Sequence, residues 1–233
     1  MLPDYSLWAP GSQGWDSVWS AVCQVWASKW NDRAWLSRRS AGIPDQDLAM
    51  GVLIQQVVPA DYAFVLHTAH PVTGEAGVVY GEVVPGMGET LVGNYPGRAL
   101  SFSSRLGAQG SPEPPQLLSL PSKRSVLRAV ATQPGGVPLL IARSDANGED
   151  LADLAGAGLY DSVPCVPLEE SALQLAQEPL VTDPHFRTDL MTQLTLTASA
   201  VKAVFGGVEQ DVEGVVAGDQ VWVVQSRPQL LPS

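Results

Sequence analysis

The chain has 233 residues, a formal net charge of −11, and 45% hydrophobic against 16% charged residues. That composition excludes a disordered chain and a coiled coil, and a chain this long buries roughly 70% of its unfolded surface. The acidic balance also excludes generic binding to a nucleic-acid backbone, which requires a basic surface. A polyanionic nucleotide would need a local cation or a metal.

Cys23 and Cys165 are too few for a disulfide scaffold or a four-ligand zinc site, and read as buried thiols of a reducing compartment. No apolar run reaches the roughly 18 residues of a membrane span. The opening residues carry neither the apolar core of a signal peptide nor an arginine-rich transit pattern. Met1 is therefore expected not to begin the full polypeptide.

Residues 1–14 hold Pro3, Pro10, Gly11 and Gly14 and read as an irregular lead-in. Residues 15–39 predict one helix, in which Trp15, Trp19, Val22, Trp26 and Trp30 recur at helical spacing. Such a stripe reads as core; exposed, coplanar rings would instead suit sugar stacking. Lys29, Arg33, Arg38 and Arg39 gather late, and Gly42 and Pro44 stop the helix. Strands are predicted at 50–58, 62–68 and 78–84, the last two joined by a turn over 70–75. A glycine-dense loop follows from Gly86 to Gly97. Residues 105–125, rich in Ser, Pro and Gly, predict a flexible insertion.

Strand signals return at 137–143. A helix is predicted over 184–205, with Pro184 at its start, Leu190, Leu194, Thr197, Val201 and Phe205 on one face, and Gly206-Gly207 at its end. The runs DVEGVV and QVWVVQSR flank Gly218-Asp219 and predict a hairpin.

That hairpin carries the sharpest chemistry. Asp211 and Glu213 are two apart and share a face of their strand, as do Gln225 and Arg227 on the partner. A loop with an odd number of residues puts all four on one face; an even loop separates Glu213 from Gln225. Oxygen ligands of this kind suit Mg²⁺, and a guanidinium suits charge developing on a transferring phosphoryl group. The alternative is the polar outer face of an ordinary hairpin.

The spacing DVEG…VVQSRPQ resembles the last hairpin of the ATP-binding domain shared by pyruvate phosphate dikinases, phosphoenolpyruvate synthases and starch-phosphorylating dikinases. The stretches VWASKWNDRAWLSRR, VLIQQVVPADYAFVLHT, GEVVPGMGETLVGNYPGRALSF, RSDANGEDL and AGAGLYDSVP look like the same group. YPGRALSF, EPLVTDPHF and the order of segments are most similar to the α-glucan, water dikinase family. The likeness runs from about Trp15 to Gln229.

This resemblance implies an α+β fold: a partial ATP-grasp-type domain over 15–233 whose mixed sheets hold ATP with Mg²⁺. It implies that Asp211, Glu213 and Gln225 hold metal and nucleotide and that Arg227 stabilises the moving phosphoryl group. Gln55 and Val57 resemble the segment lining adenine, where backbone groups read the purine edge. Glu82 stands where the family has a carboxylate facing the nucleotide; it reads otherwise as a paired structural acid. Arg143, beside Ser144, resembles a phosphate-touching arginine. It alternatively pairs with Glu149 or Asp150, or belongs to a duplicated structural copy, because its segment here follows the tryptophan helix. The loop from Gly86 to Glu89 offers amides to phosphate or simply packs, and Arg33 reaches the cleft or caps its helix.

The implied reaction moves the β-phosphate of ATP, through a phosphohistidine on another domain, to an α-glucan held by domains outside this chain. The products are AMP and orthophosphate, and the compartment is the plastid. His67, His70 and His185 lack the context of that phosphohistidine and read as structural or exposed. The alternatives are a non-catalytic nucleotide-binding or interaction module, or the ATP domain of a phosphoglucan or pyruvate-type dikinase. No nucleic acid or membrane partner is expected. Neither a GxSxG elbow nor a dinucleotide fingerprint leading into a long helix is present.

Overall fold

A computed structural model describes residues 13–93, 95–107, 111–129, 139–147, 150–151, 154–155, 158–165 and 168–232. The lead-in before residue 13, residues 137–138 of one predicted strand, and Glu149 lie outside them. In chain order the elements are helices α1 (Gln13–Ala27) and α2 (Asp32–Ser40), and strands β1 (Met50–Gln56), β2 (Tyr62–Ala69) and β3 (Ala76–Pro85). A short helix α3 (Glu89–Val92) precedes β4 (Leu100–Arg105), β5 (Gln116–Ser119), β6 (Ser125–Ala129) and β7 (Leu140–Ala146). Then come β8 (Asp150–Leu151), β9 (Leu154–Ala155), β10 (Val163–Pro164), β11 (Leu168–Ala172), α4 (Pro179–Thr182), α5 (Pro184–Val204), β12 (Gln210–Ala217) and β13 (Gln220–Pro228). The described chain is thus mixed helix and sheet, 31% helical and 38% strand.

The chain divides into two compact units, where the sequence reading has one domain over 15–233. The first comprises residues 1–57 and 130–168. Its three-stranded sheet has the order β1-β7-β10, antiparallel throughout. Helix α1 packs Val18, Ala21 and Val25 against Ala142 and Cys165. The tryptophans take the other side: Trp19, Trp26, Trp30 and Trp35 are 48%, 42%, 59% and 38% exposed, which corrects the reading of the stripe as core. Both stripes have helical spacing, and small side chains let the helix approach a sheet more closely than indoles do. Trp15 and Trp19 stack with an interplanar angle of 11°.

The predicted single helix also breaks. Asn31 is extended (φ −59°, ψ 145°), and its Nδ2 donates to Asp161 Oδ2 at 3.0 Å. A short amide side chain with a partner elsewhere competes with helix continuation. Arg33 pairs with Asp161 at 2.7 Å, and Cys23, expected to be buried, is exposed.

The second unit comprises residues 58–129 and 169–233. Its six-stranded sheet has the order β13-β12-β2-β3-β4-β5, again antiparallel. Alternation assigns the two faces. Phe64, Leu66, Val79, Val83, Leu100, Phe102, Val212 and Val216 point to one side and bury themselves under Leu190, Met191, Leu194 and Ala198 of α5. Each fully buried large apolar side chain contributes about 1.5–3 kcal/mol.

Helix α5 starts where Asp183 Oδ1 accepts from the N–H groups of His185 and Phe186 at 2.9 and 3.1 Å, with Pro184 in the first turn. It stops at Gly206 and Gly207, both at positive φ. The segment 105–125, expected to be a flexible insertion, supplies β5, which extends this sheet beyond β4.

Candidate nucleotide site

The hairpin β12–β13 turns through two residues, Gly218 and Asp219, because Ala217 pairs with Gln220. An even loop was expected to separate Glu213 from Gln225. A β-bulge prevents that: Gly214 faces Val223, whereas Glu213 faces Gln225 and Asp211 faces Arg227. Val224 is the additional residue, and one extra residue reverses the parity of everything beyond it. The four side chains therefore share the face turned away from α5.

Gly214 makes the bulge possible. A Cβ there would lie 2.1 Å from Phe64 Cζ and 2.5 Å from the Trp222 carbonyl oxygen. Only glycine lets the core phenyl and the bulged strand approach so closely.

Register carries this polar face across the sheet. One row runs Arg227, Asp211, His67, Tyr80, Ser103. The next runs Gln225, Glu213, Val65, Glu82, Ser101, Ser119. Asp211 and Arg227 are bonded to each other: Oδ2 accepts from Nε at 3.0 Å and from Nη2 at 2.8 Å. Asp211 Oδ1 is buried with no hydrogen-bond partner and faces His67 Nδ1 at 3.7 Å, an atom in the same state. The Tyr80 hydroxyl donates to Glu82 Oε1 at 3.1 Å. Burial first, and that carboxylate second, raise the tyrosine's pKa.

Gln55 and Arg143 lie in the first unit on facing strands, where Arg143 Nη1 donates to Gln55 Oε1 at 3.2 Å. Asp150 has no described side chain, and Glu149 lies outside the described residues, so the alternative pairing stands apart from this contact. Val57 is buried, and its N–H donates to the Leu139 carbonyl at 2.8 Å. That donor is committed within the chain. Of the loop from Gly86 to Glu89, the Met87 N–H is likewise committed to the Leu127 carbonyl at 2.9 Å. The α3 that follows spans only Glu89–Val92, too short for a dinucleotide fold.

His70 is structural, its Nδ1 accepting from the N–H groups of Val72 and Thr73. His67, read as structural, stands in the polar row beside Asp211. Lys123, which sequence reasoning passed over, is buried near Glu82. Its one signal is a lysine in the turn sequence LPSK. Among the described residues no group of three His, Cys, Asp or Glu side chains is arranged to hold a metal.

Residues 11–98 match the family described as pyruvate phosphate dikinase, AMP/ATP-binding domain. The chain is 44% identical over 95% of its length to α-glucan water dikinase, chloroplastic, of Solanum tuberosum, of which it covers 14%. The chain is thus similar to α-glucan water dikinases over nearly all its length, and its residues 11–98 to the pyruvate phosphate dikinase AMP/ATP-binding domain. It is likewise 43% identical over 94% of its length to α-glucan water dikinase 1, chloroplastic, of Arabidopsis thaliana, covering 15% of that protein. A rifampicin phosphotransferase of Streptomyces is 26% identical over 92% of the chain and 20% of its own length. The chain thus spans about one seventh of the dikinases it matches, and corresponds to ATP-binding-domain sequence within them.

Proposed function

We propose that this chain is the ATP-holding, ATP-grasp-type part of a dikinase that passes the β-phosphate of ATP, through a phosphohistidine on another domain, to an α-glucan. The observation that carries this reading is the bulge that puts Asp211, Glu213, Gln225 and Arg227 on one face. The similarity to α-glucan water dikinases supports the acceptor, and the word chloroplastic in those relatives' names supports a plastid location.

The donor set fits Mg²⁺. Asp211, Glu213 and Gln225 offer hard oxygens, and the buried Oδ1 of Asp211 lacks a hydrogen-bond partner. These three residues would hold the ion, which when bound supplies charge neutralisation at the phosphates.

Arg227 presents a planar fork for phosphoryl oxygens. Its bond to Asp211 fixes the guanidinium in the plane of the site before ligand arrives. Tyr80 orients the Glu82 carboxylate through its hydroxyl. The apolar side of the sheet, sealed by α5, holds the polar rows rigid, which is what preorganised electrostatic stabilisation requires.

Calorimetric titration with ATP, with and without Mg²⁺, tests the holding role: saturable, Mg²⁺-dependent binding is expected, and its absence refutes it. Transfer of label from [β-³²P]ATP to glucan by the complete polypeptide tests the reaction. Binding without transfer in that polypeptide would leave only a nucleotide-binding module.

A further inference from the structure

Lys123 is 5% exposed, and its ammonium donates to the Tyr95 carbonyl oxygen at 2.6 Å. An ammonium has three donors. Among the described residues it makes no other hydrogen bond and no ion pair. Taking a charged amine out of water is costly unless it is fully paired, so a lysine kept solely for structure is expected beside a bonded carboxylate.

The chain holds the residue in place deliberately. Gly97 adopts φ 99°, and a Cβ there would stand 2.7 Å from the backbone N and Cα of Lys123. Only glycine admits that approach. Ser122 is tied to Arg98 twice, N–H to carbonyl and amide to Oγ, each at 2.9 Å. The segment leaves β5 just after Ser119, the end of the row that contains Glu82 and Ser101. Burial lowers the lysine's pKa, and the Glu82 carboxylate opposes that, so the ammonium feels the polar face.

A triphosphate approaching this face meets the carboxylates of Asp211, Glu213 and Glu82. The Arg227 fork is already engaged by Asp211. A polyanion needs a further cation there. Resting on the ATP-holding role above, we propose that Lys123 is a nucleotide contact that donates its remaining ammonium protons to triphosphate oxygens of ATP.

The test titrates Mg²⁺·ATP and, separately, adenosine into the wild-type chain, Lys123→Met and Lys123→Arg, with thermal unfolding of each chain alone. Methionine keeps the buried stem and removes the charge. Losing one charge-assisted contact is expected to weaken ATP roughly tenfold or more. Adenosine affinity is expected to stay the same, ligand-free Tm to fall modestly with the lost Tyr95 bond, and arginine to retain part of the ATP affinity. Unchanged ATP affinity in Lys123→Met overturns the assignment, as does an equal loss for ATP and adenosine. Should methionine unfold the chain, Lys123→Arg decides: an affinity for ATP that falls more than that for adenosine supports a phosphate contact, and an equal or larger fall for adenosine overturns it. A wild-type chain that does not bind ATP refutes the ATP-holding role itself, an outcome distinct from a wild type that binds and a variant that does not differ.

Discussion

Glu213 stands opposite Gln225 although the hairpin turns through two residues, because Val224 adds one residue to β13. Turn and bulge together set the parity of the candidate site. Inserting one alanine between Val224 and Gln225 would set that alanine opposite Glu213, Gln225 opposite Val212 and Arg227 opposite Gln210, carrying both polar side chains to the α5 face. ATP binding is expected to fall by at least about tenfold, with the far-ultraviolet circular dichroism spectrum retained. Undiminished calorimetric affinity would show that this face does not hold the nucleotide.

Arg227 and Asp211 form a pair whose side chains are 22% and 15% exposed. Removing one partner from a fully buried pair costs about 3–5 kcal/mol, and partial solvation lowers that to about 1–3 here. Arg227→Met is expected to destabilise within that range in urea unfolding. Arg227→Met with Asp211→Asn is expected to lose less than the sum of the single changes. Strict additivity would mean that the observed bond contributes nothing to stability.

Gly81 lies beneath the core ring of Phe102. A Cβ there would stand 2.3 Å from Phe102 Cε1 and 2.9 Å from Leu66 Cδ2. Gly81→Ala is therefore expected to destabilise by about 1–3 kcal/mol through overpacking. Thermal unfolding checks this, and an unchanged Tm would mean that the ring moves aside freely.

Tyr62 donates its hydroxyl to Glu178 Oε1 at 3.0 Å. Burial first, and the Glu178 charge second, hold its pKa well above that of an ordinary tyrosine. At neutral pH both folded and unfolded states keep the proton, so the contribution is fully present. Above about pH 10 the unfolded chain releases it while the folded chain does not, and stability falls as pH rises. The wild-type Tm is expected to drop more steeply than that of Tyr62→Phe between about pH 10 and pH 11. At pH 7 the variant is expected to be less stable by about 1 kcal/mol, for the lost hydrogen bond. Parallel Tm curves above pH 10 would contradict the linkage.

Sequence periodicity determined β2, β3, helix α5 and the terminal hairpin, because alternation and capping are local signals. It also identified the four polar residues of that hairpin. Local spacing was insufficient at α1, where two apolar stripes compete and packing against β1 and β7 favours the small one. It was insufficient too at 105–125, where polar composition hid the edge strand β5.

The chain by itself determined its likeness to dikinases and the residue types of its candidate site, since residue types and their order are written in it. Only the tertiary structure decided which face each residue occupies, that Asp211 already holds Arg227, and that a lysine from a polar loop is buried on the Tyr95 carbonyl. Register, bulges and burial arise from contacts between segments far apart in sequence, and no local window contains the partner that selects them.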